Sequence, residues 1–134
     1  MKLKTVLKRS FLMLVTAFIF GFVTSCKNDG DDVSEANDTH KVIFKAEASS
    51  GSNISTAVYG IDGNPITVNG LSGTTWMSPE ITTDTKVYNS NVVVNATGAN
   101  SASTLKVQIW VDGELKKEST VTGKNLSAST SYSF

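Results

Sequence analysis

Two residues that could do chemistry by themselves occur once each in the 134-residue chain: Cys26 and His40. A lone thiol has no partner for an intramolecular disulfide, so Cys26 is either a small packed residue or a nucleophile that receives a group. A lone histidine would need a fixed acid, nucleophile or metal beside it to catalyse anything. His40 sits at the start of the first patterned segment, where the sequence gives it no fixed neighbours, so it is expected at the surface. Asp62, Asp84 and Asp112 fall in or near turns; turn chemistry favours aspartate, and no EF-hand spacing turns them into a calcium site. These residues give no catalytic constellation, and neither enzyme activity nor a metal or cofactor is expected. The remaining candidates are the two tryptophans, Trp76 and Trp110, whose rings can stack on a sugar or a partner surface.

Cys26 gains its meaning from what precedes it. Lys2, Lys4, Lys8 and Arg9 make a basic start with no acidic residue, and residues 11–23 form an almost wholly apolar run. That order matches a secretory leader. A spanning helix needs about 20 apolar residues, and Ser25, Cys26, Lys27 and Asn28 end this run sooner. Val23, Thr24, Ser25 and Cys26 resemble a bacterial lipobox position by position. The resemblance implies cleavage between Ser25 and Cys26, a diacylglyceryl group on the thiol, and acylation of the new amine by a fatty acid such as palmitate. Two or three chains hold a protein on a membrane, at about 0.8 kcal/mol per buried methylene.

Position 27 is lysine, so the aspartate that retains some lipoproteins in an inner membrane is missing. The run Lys27-Asn28-Asp29-Gly30-Asp31-Asp32 is similar to the acidic export signal of Bacteroidota lipoproteins. It implies an outer-membrane anchor, with display at the cell surface as the further expectation. Residues 26–40 then read as a lipidated cysteine and a solvated acidic tether. With Asp29, Asp31, Asp32, Glu35 and Asp38 against one bulky apolar residue, Val33, the segment buries too little to offset its ordering entropy. Random-coil scaling gives it a reach of roughly 20 Å.

All twelve acidic residues follow the leader but only eight of the twelve basic ones do, which leaves the chain from Cys26 onward at net −4. A mildly acidic domain offers no footprint for nucleic acid and little attraction to an anionic lipid surface. Residues 41–134 suit one small domain with one core.

The pattern in this domain is period two. Val42, Phe44, Ala46 and Ala48 share a parity opposite Lys45 and Glu47, which predicts a half-buried strand. Residues 54–61 predict a second, with Ile54 and Val58 on one side and Tyr59 and Ile61 on the other. Asp62-Gly63-Asn64-Pro65 predicts a tight turn. Short strands are expected at 66–68, 82–88 and 92–96, with Trp76 in a loop before Pro79. Residues 105–111 give the clearest strand: Leu105, Val107, Ile109 and Val111 alternate with Lys106, Gln108 and Trp110. Asp112-Gly113 is a hairpin signal. A two-residue turn would set Trp110 against Leu115 and Ile109 against Lys116; a three-residue loop with a glycine bulge would set Ile109 against Leu115 and keep the apolar parity together, and is the expected form. The return strand carries Lys116, Lys117 and Glu118, which predicts a sheet edge. Leu126, Ala128, Thr130, Tyr132 and Phe134 share a parity in the last strand. Seven to nine short strands without a helical period predict an all-β fold, a small antiparallel immunoglobulin-like β-sandwich, with a small barrel as the alternative.

The first strand Lys41-Val42-Ile43-Phe44-Lys45-Ala46, a second bearing Ile54 and Tyr59, a tryptophan after a central loop, and the late Ile109-Trp110-Val111-Asp112-Gly113 hairpin together resemble the MmpS-like domain. The likeness spans residues 41–134. That family was named for small mycobacterial membrane proteins that accompany large lipid transporters. Many of its members carry a transmembrane anchor and a late cysteine pair, and Leu-Pro precedes their central tryptophan; here a lipobox replaces the anchor, the pair is missing, and Thr74-Thr75 precedes Trp76. The resemblance implies an immunoglobulin-like sandwich and an accessory role beside an envelope protein. A surface glycan-binding module using Trp76 or Trp110 is the alternative. Either tryptophan has a plainer reading as well, Trp76 packing into one end of the core and Trp110 covering a thin face.

Overall fold

A computed structural model describes residues 39–84 and 86–134. Every regular element among them is a strand: β1 (Lys41–Ala48), β2 (Asn53–Ile61), β3 (Asn64–Asn69), β4 (Thr75–Met77), β5 (Ile81–Thr82), β6 (Asn89–Thr97), β7 (Thr104–Val111), β8 (Glu114–Thr122) and β9 (Asn125–Ser133). They form two antiparallel sheets. The first has the order β4-β1-β7-β8, with β5 also on β1, and the second has the order β3-β2-β6-β9. The two sheets make a small β-sandwich.

The core follows from the alternation. Val42, Phe44, Ala46 and Ala48 of β1 and Leu105, Val107, Ile109 and Val111 of β7 face inward from the first sheet, and Val92, Val94 and Ala96 of β6 with Leu126 and Ala128 of β9 face inward from the second. Across the gap Tyr59 lies between two rings of the first sheet. Its centroid is 5.3 Å from Phe44 and 5.3 Å from Trp76, both tilted. Such aromatic packing ties the two sheets together with large buried area.

Strand β2 departs from simple alternation in a useful way. Its register against β6 shifts between Ile54 and Thr56, which makes Ser55 the extra residue of a β-bulge. The parity expected from the sequence therefore reverses at Ser55. Ile54 before the bulge and Ala57 and Tyr59 after it all point into the core, whereas Val58, expected beside Ile54, does not.

Both Asp-Gly pairs are two-residue turns with positive φ at each position: Asp62 at 49° and Gly63 at 76°, Asp112 at 52° and Gly113 at 81°. Those signs belong to a type I′ turn, whose twist matches the strands that it joins. The three-residue loop expected after β7 is thus corrected. Val111 pairs with Glu114 and Trp110 with Leu115, and then Ile109 pairs with Lys117, because Lys116 is bulged out. The bulge does what the longer loop was expected to do. It returns the apolar parity of β7 to register with Ser119 and Val121, and it leaves Leu115 on the outer face, 41% exposed.

Two further expectations are corrected. Trp76 lies in strand β4, not in a loop, because Thr75, Trp76 and Met77 pair with Glu47, Ala46 and Lys45 of β1. The strand expected over 82–88 is reduced to Ile81 and Thr82. Thr82 pairs with Lys41, the first residue of β1, and Thr83 N–H still donates to His40 O at 2.8 Å, which exhausts that side of β1. Val87 has the propensity for a strand without a strand beside it.

Antiparallel order sorts the connections to two ends. The β2–β3 and β7–β8 turns, residues 83–84 and 86–88, His40 and Phe134 lie at one end. Loops 49–52, 70–74, 98–103 and 123–124 lie at the other.

Candidate functional site

Of the two candidate tryptophans, Trp76 is opposite Ala46, an inward position of β1, while Trp110 is opposite Ile43, an outward one. They are thus on opposite faces of the same sheet. Trp76 is partly buried against the core and rests on Tyr59. Trp110 stands on the outer face, half-buried among polar neighbours.

The outer face is built in cross-strand rows. Ile43, Trp110 and Leu115 form one row, Met77, Lys45, Gln108 and Glu118 a second, and Thr75, Glu47, Lys106 and Thr120 a third. Trp110 Nε1 donates to Gln108 Oε1 at 3.1 Å, and Gln108 Nε2 donates to Glu118 Oε2 at 3.1 Å. Lys45 Nζ lies 4.3 Å from the centre of the Trp110 ring, within range of a cation–π attraction. In the third row Lys106 pairs with Glu47 at 3.5 Å. The indole is therefore held by its N–H and by a cation, between the apolar side chains Ile43 and Leu115 of its own row.

Shallow depressions flank it. One of about 230 Å³ lies between Trp110, Ile43, Lys45 and Glu80, and another of about 340 Å³ lies between Lys45, Gln108, Trp76 and Met77. Met77 is 61% exposed. An aromatic ring ringed by amide, ammonium and carboxylate groups can hold a sugar by stacking and hydroxyl hydrogen bonds, or seat an apolar side chain of a partner. The shared parity of Lys45, Gln108 and Trp110 is legible in the sequence. The sequence carried no signal for Met77 or Glu118, which reach this face only through the pairing of β4 and β8.

His40 does have fixed neighbours, contrary to the expectation from sequence. Its Nδ1 lies 2.7 Å from Asp112 Oδ2, its backbone N–H donates to Thr83 Oγ1 at 2.8 Å, and its ring lies 5.1 Å from that of Phe134. Lys41 N–H donates to Asp112 Oδ1 at 2.9 Å. The positive φ of Asp112 at the β7–β8 turn aims the carboxylate at the start of β1. These bonds, that from Lys41 N–H first and that from His40 next, hold the Asp112 carboxyl below its ordinary value. Beside it Lys116 Nζ and Glu114 Oε2 are 2.6 Å apart, which lowers the glutamate and raises the lysine.

Asp62 is used in the same way, since its Oδ1 accepts from the N–H groups of Tyr88 and Asn89, both at 2.8 Å. It borders a cleft of about 310 Å³ between Ile61, Ile66 and Ile81 that also reaches Asp84. Both aspartates spend Oδ1 on backbone N–H groups of neighbouring segments, and Asp112 adds the His40 ring through Oδ2, which is a turn-anchoring role. Among the described residues no group of three or more His, Cys, Asp or Glu is placed to hold a metal ion.

Ser25 and Cys26, the expected cleavage and lipidation residues, lie outside the described residues, as do the leader and the tether up to Asp38. Compared with known proteins, the chain matches no family model and no curated protein.

Proposed function

We propose that this chain is a bacterial lipoprotein, lipidated at Cys26 after cleavage of residues 1–25, which holds a non-catalytic interaction or accessory domain at the outer membrane. One observation carries the reading: a basic start and a thirteen-residue apolar run end on Val23-Thr24-Ser25-Cys26, with the only cysteine of the chain at the position that takes lipid. Residues 41–134 are read as an MmpS-like, immunoglobulin-like module whose partner is another envelope protein. The domain's first strand starts at Lys41, whose N–H is held by Asp112. The acidic run after Cys26 supports display on the cell surface.

Labelling with a fatty acid followed by membrane fractionation tests this. The native chain is expected to carry label and sediment with membranes, and Cys26→Ser to do neither. A native chain without label sinks the proposal. Proteinase added to intact cells then separates a surface domain, which is digested, from a periplasmic one, which is protected.

The outer-face position of Trp110, with Gln108 and Lys45 bonded to it, favours a second reading as a surface glycan-binding module. In that case Trp110→Ala abolishes retention on polysaccharide while the domain stays folded, with its circular dichroism and a cooperative melt retained.

A further inference from the structure

Edge strands offer unpaired backbone groups to any other strand, and proteins usually guard them with charge, proline or brevity. Three of the four edges here are guarded. β8 carries Lys116, Lys117 and Glu118, β3 has Pro65 in its second position, and the far edge of β1 is covered by the short pieces β4 and β5. The fourth edge is β9. Its nine residues, Asn125–Ser133, include no charge and no proline, and among the described residues it pairs with β6 alone.

The ladder shows which groups are left over. Phe134 N–H donates to Tyr88 O at 3.0 Å and Gly98 N–H donates to Lys124 O at 2.7 Å, at the two ends of the β6–β9 pairing. The register between them runs without a shift, so the hydrogen-bonded pairs fall on the even positions of β9. The N–H and C=O groups of Ser127, Ser129, Ser131 and Ser133 therefore point away from β6. All four serines are exposed, and an open cleft of about 670 Å³ lies along this edge between Ser129 to one side and Lys117 and Ser119 of β8 to the other.

We propose that β9 pairs antiparallel with β9 of a second copy of this chain about a two-fold axis at Ser129, which joins the two four-stranded sheets into one of eight. The strand is complementary to its own reverse. About that axis Ser129 meets its counterpart, Ser127 meets Ser131 of the other copy, and Asn125 meets Ser133, so small uncharged side chains lie opposite one another on the outer face. On the inner face Leu126 comes opposite Tyr132 and Ala128 opposite Thr130, which extends the core across the seam. Full pairing makes on the order of ten backbone hydrogen bonds, and a two-fold contact of this kind closes on itself.

The proposal does not depend on lipid at Cys26, and it fixes a register that cysteine substitutions read directly. In cells making the full chain, with the native sequence as the background for Cys26, Ser129→Cys is expected to give a disulfide-linked dimer on mild oxidation. A hydrogen-bonded antiparallel pair brings its Cα atoms to about 5.5 Å, inside the range that a disulfide spans. Ser127→Cys alone should stay at background, because its counterpart lies four residues away along the seam, and co-expression of Ser127→Cys with Ser131→Cys should restore the product. No dimer from Ser129→Cys, or equal dimer from both single variants, overturns the proposal. On the purified full chain Ser129→Pro, whose lost N–H is not used by β6, is expected to abolish the dimer in sedimentation velocity while the folded circular dichroism spectrum and a cooperative melt are retained, the melt shifting only by what dimerisation contributed. A dimer that survives it with the fold intact also overturns the proposal.

Discussion

Trp76 and Trp110 lie on the two faces of one sheet and are held by different physics. Trp76 comes from a three-residue strand with little else to hold it, and its ring is held by Tyr59 and the inner face of β1. Trp110 comes from the middle of the sheet, and its ring is held by Gln108 and Lys45 in the presence of water. The first arrangement stabilises by removing apolar area from solvent, the second by orienting an aromatic surface that remains available. A residue of one type can therefore be structural on one side of a strand layer and presentable on the other.

Substitutions break this comparison in a definite order. Trp76→Ala should cost about 3 kcal/mol, the lower end for removing a large aromatic, because the ring is only partly buried. Trp110→Ala should cost about 1 kcal/mol, since it loses one part-buried hydrogen bond and some packing. Urea unfolding of the two variants measures both, and equal losses would erase the distinction drawn between the faces. Lys45→Ala should cost about 0.5 kcal/mol, the range of an exposed cation–π contact, and should leave Trp76 unaffected; fluorescence of a Trp76→Phe background, which reports Trp110 alone, should change on that substitution.

The smallest effect belongs to the turn that holds the start of β1. The Asp112 carboxyl is held below the ordinary aspartate value of 3.8 by the Lys41 N–H and by His40. A lowered carboxylate contributes stability that is present above 3.8 and is lost as pH falls through its folded value. The melting temperature of the native chain should therefore drop on acidification in that window more than that of Asp112→Asn. Identical acid profiles would show that the bonds to Asp112 contribute nothing to stability.

The comparison also shows where sequence reading stops. The alternation of β1 and β7 and the charged edge at β8 were legible because side chains on a pleated strand alternate whatever the strand pairs with. The bulges at Ser55 and Lys116 were not, since an extra residue is recognisable only against the strand opposite it. Val58 was placed on the wrong side for that reason, and the hairpin at Asp112-Gly113 was given too long a loop. His40 looked unpartnered because its partner is 72 residues away along the chain.

Residue types along the chain dictate the local part: strands with one apolar parity, Asp-Gly turns tolerant of positive φ, and an all-β class for residues 41–134. These depend on residue type and on neighbours one or two positions away. The tertiary structure alone decided that Trp76 and Trp110 face opposite ways, that Lys45, Gln108 and Glu118 surround one of them, and that β9 is left as the unguarded edge. Each of those depends on which strands lie side by side and in what register, and that choice is made by the burial of the whole core at once rather than by any single segment.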